Sequence, residues 1–321
     1  MQVWRGLAQV PDGFGPSVVT IGNFDGVHVG HQTVLRRLAA DAQASGLVSV
    51  AITFSPHPLH VHCPENAPPI VTGDTDRLEL LAATGLDAVL LCRYTLEFAR
   101  QTPEEFVRSY LVEGLRAAVV VVGRDMRFGR DNSGDLSTMI DLGTKHGFRV
   151  DVVEDIHGDG GQSHGRRWSS TWVRELLAEG DVVTADRVLG RPHRIRGVVV
   201  RGDARGRGLG YPTANLEPET AGMVPADGVY AGWLRRTRGA DGTRLDDPVM
   251  PAAVSIGTNP TFGGQTRRVE AYVLDRDDLD LYDEEVVVEL VARLRPTLRF
   301  DSVDELKAQM AVDVAEVRDL L

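Results

Sequence analysis

At 321 residues the chain is long enough for two domains, each able to bury a core of its own. Its 42% hydrophobic and 25% charged residues are those of an ordinary globular protein. No apolar run reaches the roughly 20 residues that cross a bilayer, and the start, MQVWRGLAQVPDGFG, lacks the apolar core of a secretory signal, so a cytoplasmic protein is expected. A net charge of −11 argues against a surface that coats nucleic acid, and the two cysteines, Cys63 and Cys92, fit a reducing compartment rather than a disulfide framework. Lys145 and Lys307 are the only lysines, and no GxxxxGK[ST] string occurs. A phosphate would therefore be held by arginine, histidine, backbone N–H groups or a metal.

The first half alternates strand and helix patterns. Residues 18–21 form a short apolar strand, and Val34, Leu35, Leu38, Ala39 and Ala42 mark one face of a following helix. Residues 47–54 read as a second strand, 87–94 as a third, 117–122 as a fourth and 148–153 as a fifth. Thr102-Pro103-Glu104-Glu105 opens a helix between the third and fourth, with Thr102 as its cap. This alternation predicts a doubly wound parallel sheet whose ligands bind at the carboxyl ends of the strands. The rhythm changes near Arg187. Residues 195–200, 228–234, 252–256, 269–274 and 286–294 are short β-type runs separated by Gly- and Pro-containing turns, as in a barrel or sandwich. A last helix starts at Ser302, with Glu305 completing a capping box and Val303, Leu306, Met310, Val314, Val317 and Leu321 as its apolar stripe. The expected domains are 1–186 and 187–321.

Chemistry concentrates in a few segments. Gly22-Asn23-Phe24-Asp25-Gly26-Val27-His28-Val29-Gly30-His31 runs from the first strand into the first helix. Such a turn aims N–H groups and the positive helix end at an anion, and His28 and His31, three apart, share a face. Gly30 leaves room for close approach of a base or phosphate. Two imidazoles there can donate hydrogen bonds as charge builds on an α-phosphate with pyrophosphate leaving. Ser169-Ser170-Thr171-Trp172-Val173-Arg174 opens another helix, with Ser170 or Thr171 as cap and Arg174 as phosphate partner. In the second half, Arg201-Gly202-Asp203-Ala204-Arg205-Gly206-Arg207-Gly208-Leu209-Gly210 can wrap closely round phosphates. Thr213 and Asn215 then offer hard neutral oxygens suited to magnesium, and Glu270 shares a strand face with Tyr272.

These segments resemble the bacterial bifunctional riboflavin kinase/FAD synthetase family. GNFDGVHVGHQ is similar to the longer form of its HxGH signature, Ser169 to Arg174 to its SSTxxR motif, and Pro212-Thr213-Ala214-Asn215 to its PTAN motif. The resemblance implies a Rossmann-like nucleotidyltransferase domain with a parallel sheet, then a Greek-key β-barrel kinase domain with a terminal helix. It implies phosphorylation of riboflavin to FMN and adenylyl transfer to give FAD, with ATP and Mg2+. By the same likeness Gly22, Asn23, Phe24, His28, His31, Arg167, Ser170, Thr171 and Arg174 bind ATP for adenylyl transfer. Asp125 and Phe128 lie on a loop beside nucleotide and flavin. Gly202, Arg205, Gly206, Gly208, Gly210, Thr213 and Asn215 bind ATP for the kinase, with Thr213 and Asn215 also on the metal. Glu270, His28 and His31 are the catalytic residues, Glu270 as base for the terminal ribityl hydroxyl. Further similar segments are Thr53 to Pro58 and Asn259-Pro260-Thr261-Phe262.

Four places depart from the family pattern: Met126 replaces an aromatic residue, Arg276 another, Asp283 a common glycine, and Leu294-Arg295-Pro296-Thr297 lacks the acidic residue often found after the Leu-Arg pair. Met126 leaves a second reading, a kinase with a weak or inactive adenylyltransferase half. His57, His60, His62 and Cys63 also permit a zinc reading, disfavoured because Pro56 and Pro58 break a helix that would align ligands. The implied partners are small molecules, with neither nucleic acid nor membrane.

Overall fold

The computed structural model describes residues 1–154, 165–202, 205–258 and 267–321, and omits the side chains of Arg205 and Arg207. The chain forms two compact units, Met1–Pro68 with Asp74–Ser169, and Pro69–Gly73 with Ser170–Leu321.

The first unit is built on six parallel strands: β1 (Gln2–Trp4), β2 (Ser17–Ile21), β3 (Val48–Ser55), β4 (Ala88–Arg93), β5 (Ala117–Gly123) and β6 (Arg149–Val153). They lie in the order β1-β4-β3-β2-β5-β6. Helices α1 (Val29–Ala44), α2 (Pro58–His62), α3 (Asp74–Ala82), α4 (Pro103–Phe106) and α5 (Leu136–His146) connect them. Successive apolar residues serve opposite faces, as the pleat requires. Val18, Ala51, Val89, Val119 and Val121 pack with Leu35, Leu38 and Leu81 of α1 and α3. Val19, Val50, Ile52, Leu90 and Val120 pack with Phe106, Leu111 and Met139 on the other side. Thr102 caps α4 through a complete capping box with Glu105, and the helix runs on as a π-helix from Val107 to Gly114. The chain leaves β2 toward β3 and β4 on one side and returns to β5 and β6 on the other. The β2/β5 junction is therefore the topological switch point, where sheets of this kind bind ligands.

The second unit begins with α6 (Ser170–Glu179) and α7 (Val182–Leu189). A closed antiparallel barrel follows: β7 (His193–Val200), β8 (Thr213–Leu216), β9 (Gly228–Arg238), β10 (Met250–Thr258), β11 (Arg267–Val273) and β12 (Glu285–Arg295), ringed as β10-β11-β8-β7-β12-β9. The run β12-β9-β10-β11 is the Greek-key order. Helix α8 (Arg205–Leu209) occupies part of the glycine-rich segment, and α9 (Val303–Leu320) closes the chain. Arg295 clasps Asp313 of α9 through two hydrogen bonds, 2.8 and 2.7 Å, and Val317 packs on Ala231 and Leu274. Two expectations for α9 change. Val303 is 58% exposed, so the stripe starts at Leu306. Ser302 caps the helix, but the Glu305 carboxylate turns back to Asp301 N–H rather than to its own cap residue.

At the junction of α7 and β7, Asp186 Oδ1 accepts the His193 N–H at 2.8 Å. Burial pushes its carboxyl up to about 8, against the pull of that N–H and of Arg191. An unfolded Asp ionises near 3.9, so between about pH 4 and 8 the folded chain binds the extra proton and stability falls as pH rises. Asp186→Asn keeps the acceptor and cannot ionise. Its melting temperature should lose this decline and exceed the parent's by roughly 3–6 °C at pH 8, checked by melting curves at pH 5 and pH 8.

Candidate active sites

The turn leaving β2 holds three residues at positive φ. Phe24 and Val27 take φ of 49° and 39°, with Gly26 at 79° between them. His28 then caps α1: its Nδ1 accepts the His31 N–H at 3.3 Å. The His28 and His31 rings stack at 3.6 Å, and Phe24 meets His31 edge-on at 5.3 Å. The His28 ring lies over Gly30, where a Cβ would come within 3.1 Å of it. The room read at Gly30 thus serves this ring. Burial, then His28 and then Arg167, hold the His31 imidazole well below its usual pKa, so it is neutral at pH 7. His31 Nδ1 is buried with no hydrogen-bond partner among the described residues.

Across the switch point, the loop after β5 carries Asp125 and Phe128. Arg167 Nη1 pairs with Asp125 Oδ2 at 2.8 Å. Phe128 is buried and lines a cavity of about 700 Å³ with Phe54, Tyr94, Phe98 and Phe106. Asn23 and Gln101 add polar groups to its wall. This volume suits a drug-sized, mostly planar ligand. Sequence reading found Phe128 but not the aromatic set at 94, 98 and 106, whose spacing along a loop and a helix start has no fixed period to reveal it. Met126 packs against the apolar core, so its thioether fills space there. The histidines near Pro58 do not converge. His57 accepts from Leu59 N–H, His60 contacts the Pro68 carbonyl, and His62 the Tyr94 hydroxyl. Pro58 opens α2 instead of breaking it, as proline does at a first helical position. No cluster of three or more His, Cys, Asp or Glu side chains able to hold a metal occurs among the described residues.

Ser170, Thr171 and Arg174 belong to α6 and thus to the second compact unit. The helix starts at Ser170, so Ser170 and Thr171 lie in its first turn. Arg174 Nε donates to the Pro69 carbonyl at 2.8 Å.

In the barrel, the β11–β8 register sets Glu270 directly opposite Asn215, and Tyr272 opposite Thr213. Directly opposed residues project to the same face, so Thr213, Asn215, Glu270 and Tyr272 form one polar patch while Ala214 and Ala271 turn inward and are buried. Asn215 Nδ2 lies 3.3 Å from Thr213 Oγ1. A Cβ on Gly202 would sit 2.6 Å from Asn215 Oδ1, and one on Gly206 would sit 2.4 Å from the Tyr211 carbonyl. Gly208 and Gly210 face open space. Thr213, Asn215, Gly202, Gly210 and Tyr282 line a cavity of about 320 Å³, and Arg201 stands 5.5 Å over the Tyr282 ring. Asp203, Ala204 and the segment 259–266, with Asn259 to Phe262, lie outside the described residues. Asp283 adopts φ 63°, the left-handed conformation that favours glycine and that Asp tolerates. Arg276 also lines the cavity and is tied to Asp278 at 2.6 and 2.9 Å.

The FAD synthetase family model matches residues 12–167 and the riboflavin kinase model residues 189–321. The bifunctional riboflavin kinase/FMN adenylyltransferase of Escherichia coli K12 is 37% identical over 99% of this chain and 97% of its own. That of Pseudomonas fluorescens is also 37% identical, over 100% and 98%. A Streptococcus pneumoniae protein described as a macrolide-efflux protein superposes with a TM-score of 0.82 at 30% identity, covering 98% of each chain. Among the described residues no helix is long and apolar enough to cross a membrane. With both domain types in order, two carved sites and full-length relatives of one description, the chain belongs to the bifunctional riboflavin kinase/FMN adenylyltransferase family, making FMN from riboflavin and FAD from FMN at the expense of ATP.

Proposed function

We propose that residues 1–186 carry adenylyl transfer and residues 187–321 the kinase, in a cytoplasmic enzyme that binds neither nucleic acid nor membrane. In the kinase, Glu270 accepts the proton of the terminal ribityl hydroxyl as that oxygen attacks the γ-phosphorus of ATP. The bond to the leaving ADP oxygen breaks. Glycines 202, 206, 208 and 210, with Arg205, hold the phosphates. The observation that carries this reading is the cross-strand pairing of Glu270 with Asn215, which brings a base and two hard oxygens to one patch.

Thr213 Oγ1 and Asn215 Oδ1, hard neutral oxygens on one strand, fit a divalent cation whose remaining ligands are phosphate oxygens and water, and only a residue without a Cβ fits at Gly202 beside Asn215 Oδ1. Such a cation would neutralise charge on the transferring phosphoryl group. For adenylyl transfer, FMN's aromatic ring system fits the cavity under Phe128, with Asp125 at its nucleotide side. A phosphate oxygen of FMN attacks the α-phosphorus of ATP, and pyrophosphate leaves. His28 and the neutral His31 hydrogen-bond the α-phosphate, with Gly22, Asn23 and Phe24 as the turn beneath it. Arg167, Ser170, Thr171 and Arg174 bind the outer phosphates.

Incubating the protein with riboflavin, ATP and Mg2+ should yield FMN and then FAD on a chromatogram. Replacing Mg2+ with EDTA should lower both rates at least about 10²-fold, as expected when phosphate charge is left unneutralised. FMN accumulating with no FAD under saturating ATP would refute the adenylyl-transfer site.

A further inference from the structure

One buried cation in the first unit lies behind the nucleotide turn. Arg77 of α3 is 3% exposed. Its Nη1 donates to the Asn23 carbonyl at 2.9 Å, and its Nη2 to the Phe54 carbonyl at 2.8 Å. Nη2 also meets Asp74 Oδ1 at 2.7 Å, while the other Asp74 oxygen accepts from the Ser55 hydroxyl. Thr53 Oγ1 adds a second donor to the Asn23 carbonyl at 3.1 Å. One guanidinium therefore joins the turn leaving β2 to the turn leaving β3. The two Nη groups carry these bonds, while Nε is buried with no hydrogen-bond partner among the described residues; a buried charge is tolerated when it is paired, as Asp74 pairs this one.

The held backbone would not keep its shape unaided. Phe24, Gly26 and Val27 have φ of 49°, 79° and 39°, and a β-branched residue at positive φ is strained. Such conformations persist where the surroundings over-determine them. Fixing the Asn23 carbonyl fixes the peptide plane that enters Phe24, four residues before His28 caps α1. The Phe54 carbonyl ties the same guanidinium to the wall of the aromatic cavity.

We infer that Arg77 is a positioning residue for adenylyl transfer: it clamps the strained turn so that the His28/His31 stack and the Phe54 wall stand in one fixed register. This rests on the assignment of His28 and His31 to that step. A lysine cannot replace it, because one ammonium does not span two carbonyls and a carboxylate in a planar fork.

The test compares Arg77→Ala, Arg77→Lys and His31→Phe, measuring FAD from FMN and ATP, riboflavin phosphorylation, and melting of the chain. Arg77→Ala should lower kcat for FAD formation about 30–100-fold, the scale of a 1 Å misplacement, with riboflavin phosphorylation unchanged. Millimolar guanidinium should restore much of that loss at a temperature well below the variant's own melting, where loss of folded chain is not the cause. Arg77→Lys should fold and lose about tenfold, and it carries the test if Arg77→Ala does not fold. Parental kcat in Arg77→Lys, or a loss in Arg77→Ala that guanidinium leaves untouched, overturns the inference. If His31→Phe keeps full FAD formation, the histidine assignment itself is wrong. If His31→Phe is dead while both Arg77 variants run normally, only the clamp is.

Discussion

Glu270→Gln should lose riboflavin phosphorylation by about 10²–10³-fold while FAD formation from supplied FMN stays within about twofold of the parent. The substitution is nearly isosteric and keeps the side chain on the same face of β11, opposite Asn215. Only the capacity to take a proton is removed. General-base assistance is worth about 10²–10⁴-fold, which sets the size of the loss. A Glu270 that merely supported the barrel would lower the melting temperature and leave kcat largely in place. The measurement is a pair of initial rates, riboflavin to FMN and FMN to FAD, on one preparation. Equal falls in both rates would end the assignment of Glu270 as base.

His31→Phe should do the reverse. A phenyl ring keeps the flat contact with His28 and the edge contact with Phe24, and it removes two nitrogens, one of which is buried with no partner among the described residues. The fold should therefore survive. Loss of one preorganised donor to developing charge costs about 10²–10³-fold, so FAD formation should fall by that factor with FMN formation intact. The neutrality of His31 adds a pH signature. Burial holds its pKa well below the ordinary value, so His31 is already a neutral imidazole with its single N–H in place as pH rises from 6 to 8. The kcat/KM for FMN adenylylation should not decline across that range on account of this group. A fall centred near the ordinary histidine value of about 6.5 would mean that an imidazolium is required instead.

Much of this was legible in the sequence because the chemistry and the local structure use the same residues. The strand–turn–helix around His28 and His31 follows from an apolar run, a glycine-rich turn and a periodic helix face, and each lies where expected. The β11 alternation foretold that Glu270 and Tyr272 share a face; the barrel register added that Asn215 and Thr213 stand directly opposite them. The missed elements have reasons. β1 is three residues long, and its strand character comes from pairing with β4, a partner 86 residues away at Gln2 and Ala88. β8, the Thr-Ala-Asn-Leu strand, was read only as a motif because its four residues are too few for a period to show. α8 lies in a glycine-rich stretch that propensity reads as loop. Arg77 lies on a helix that the sequence reading did not mark, and its bonds to the Asn23 and Phe54 carbonyls join residues 54 and 23 positions away, a pairing no local pattern shows.

The ring of strands also governs when each half of the chain can mature during synthesis. Every strand of the first sheet has been made by Val153, so that sheet can assemble while translation continues. The ring must wait, because β12, ending at Arg295, is the staple between β7 and β9. Until β12 has been made, β7 and β9 each lack a neighbour, and a bare strand edge is a template for pairing with other chains.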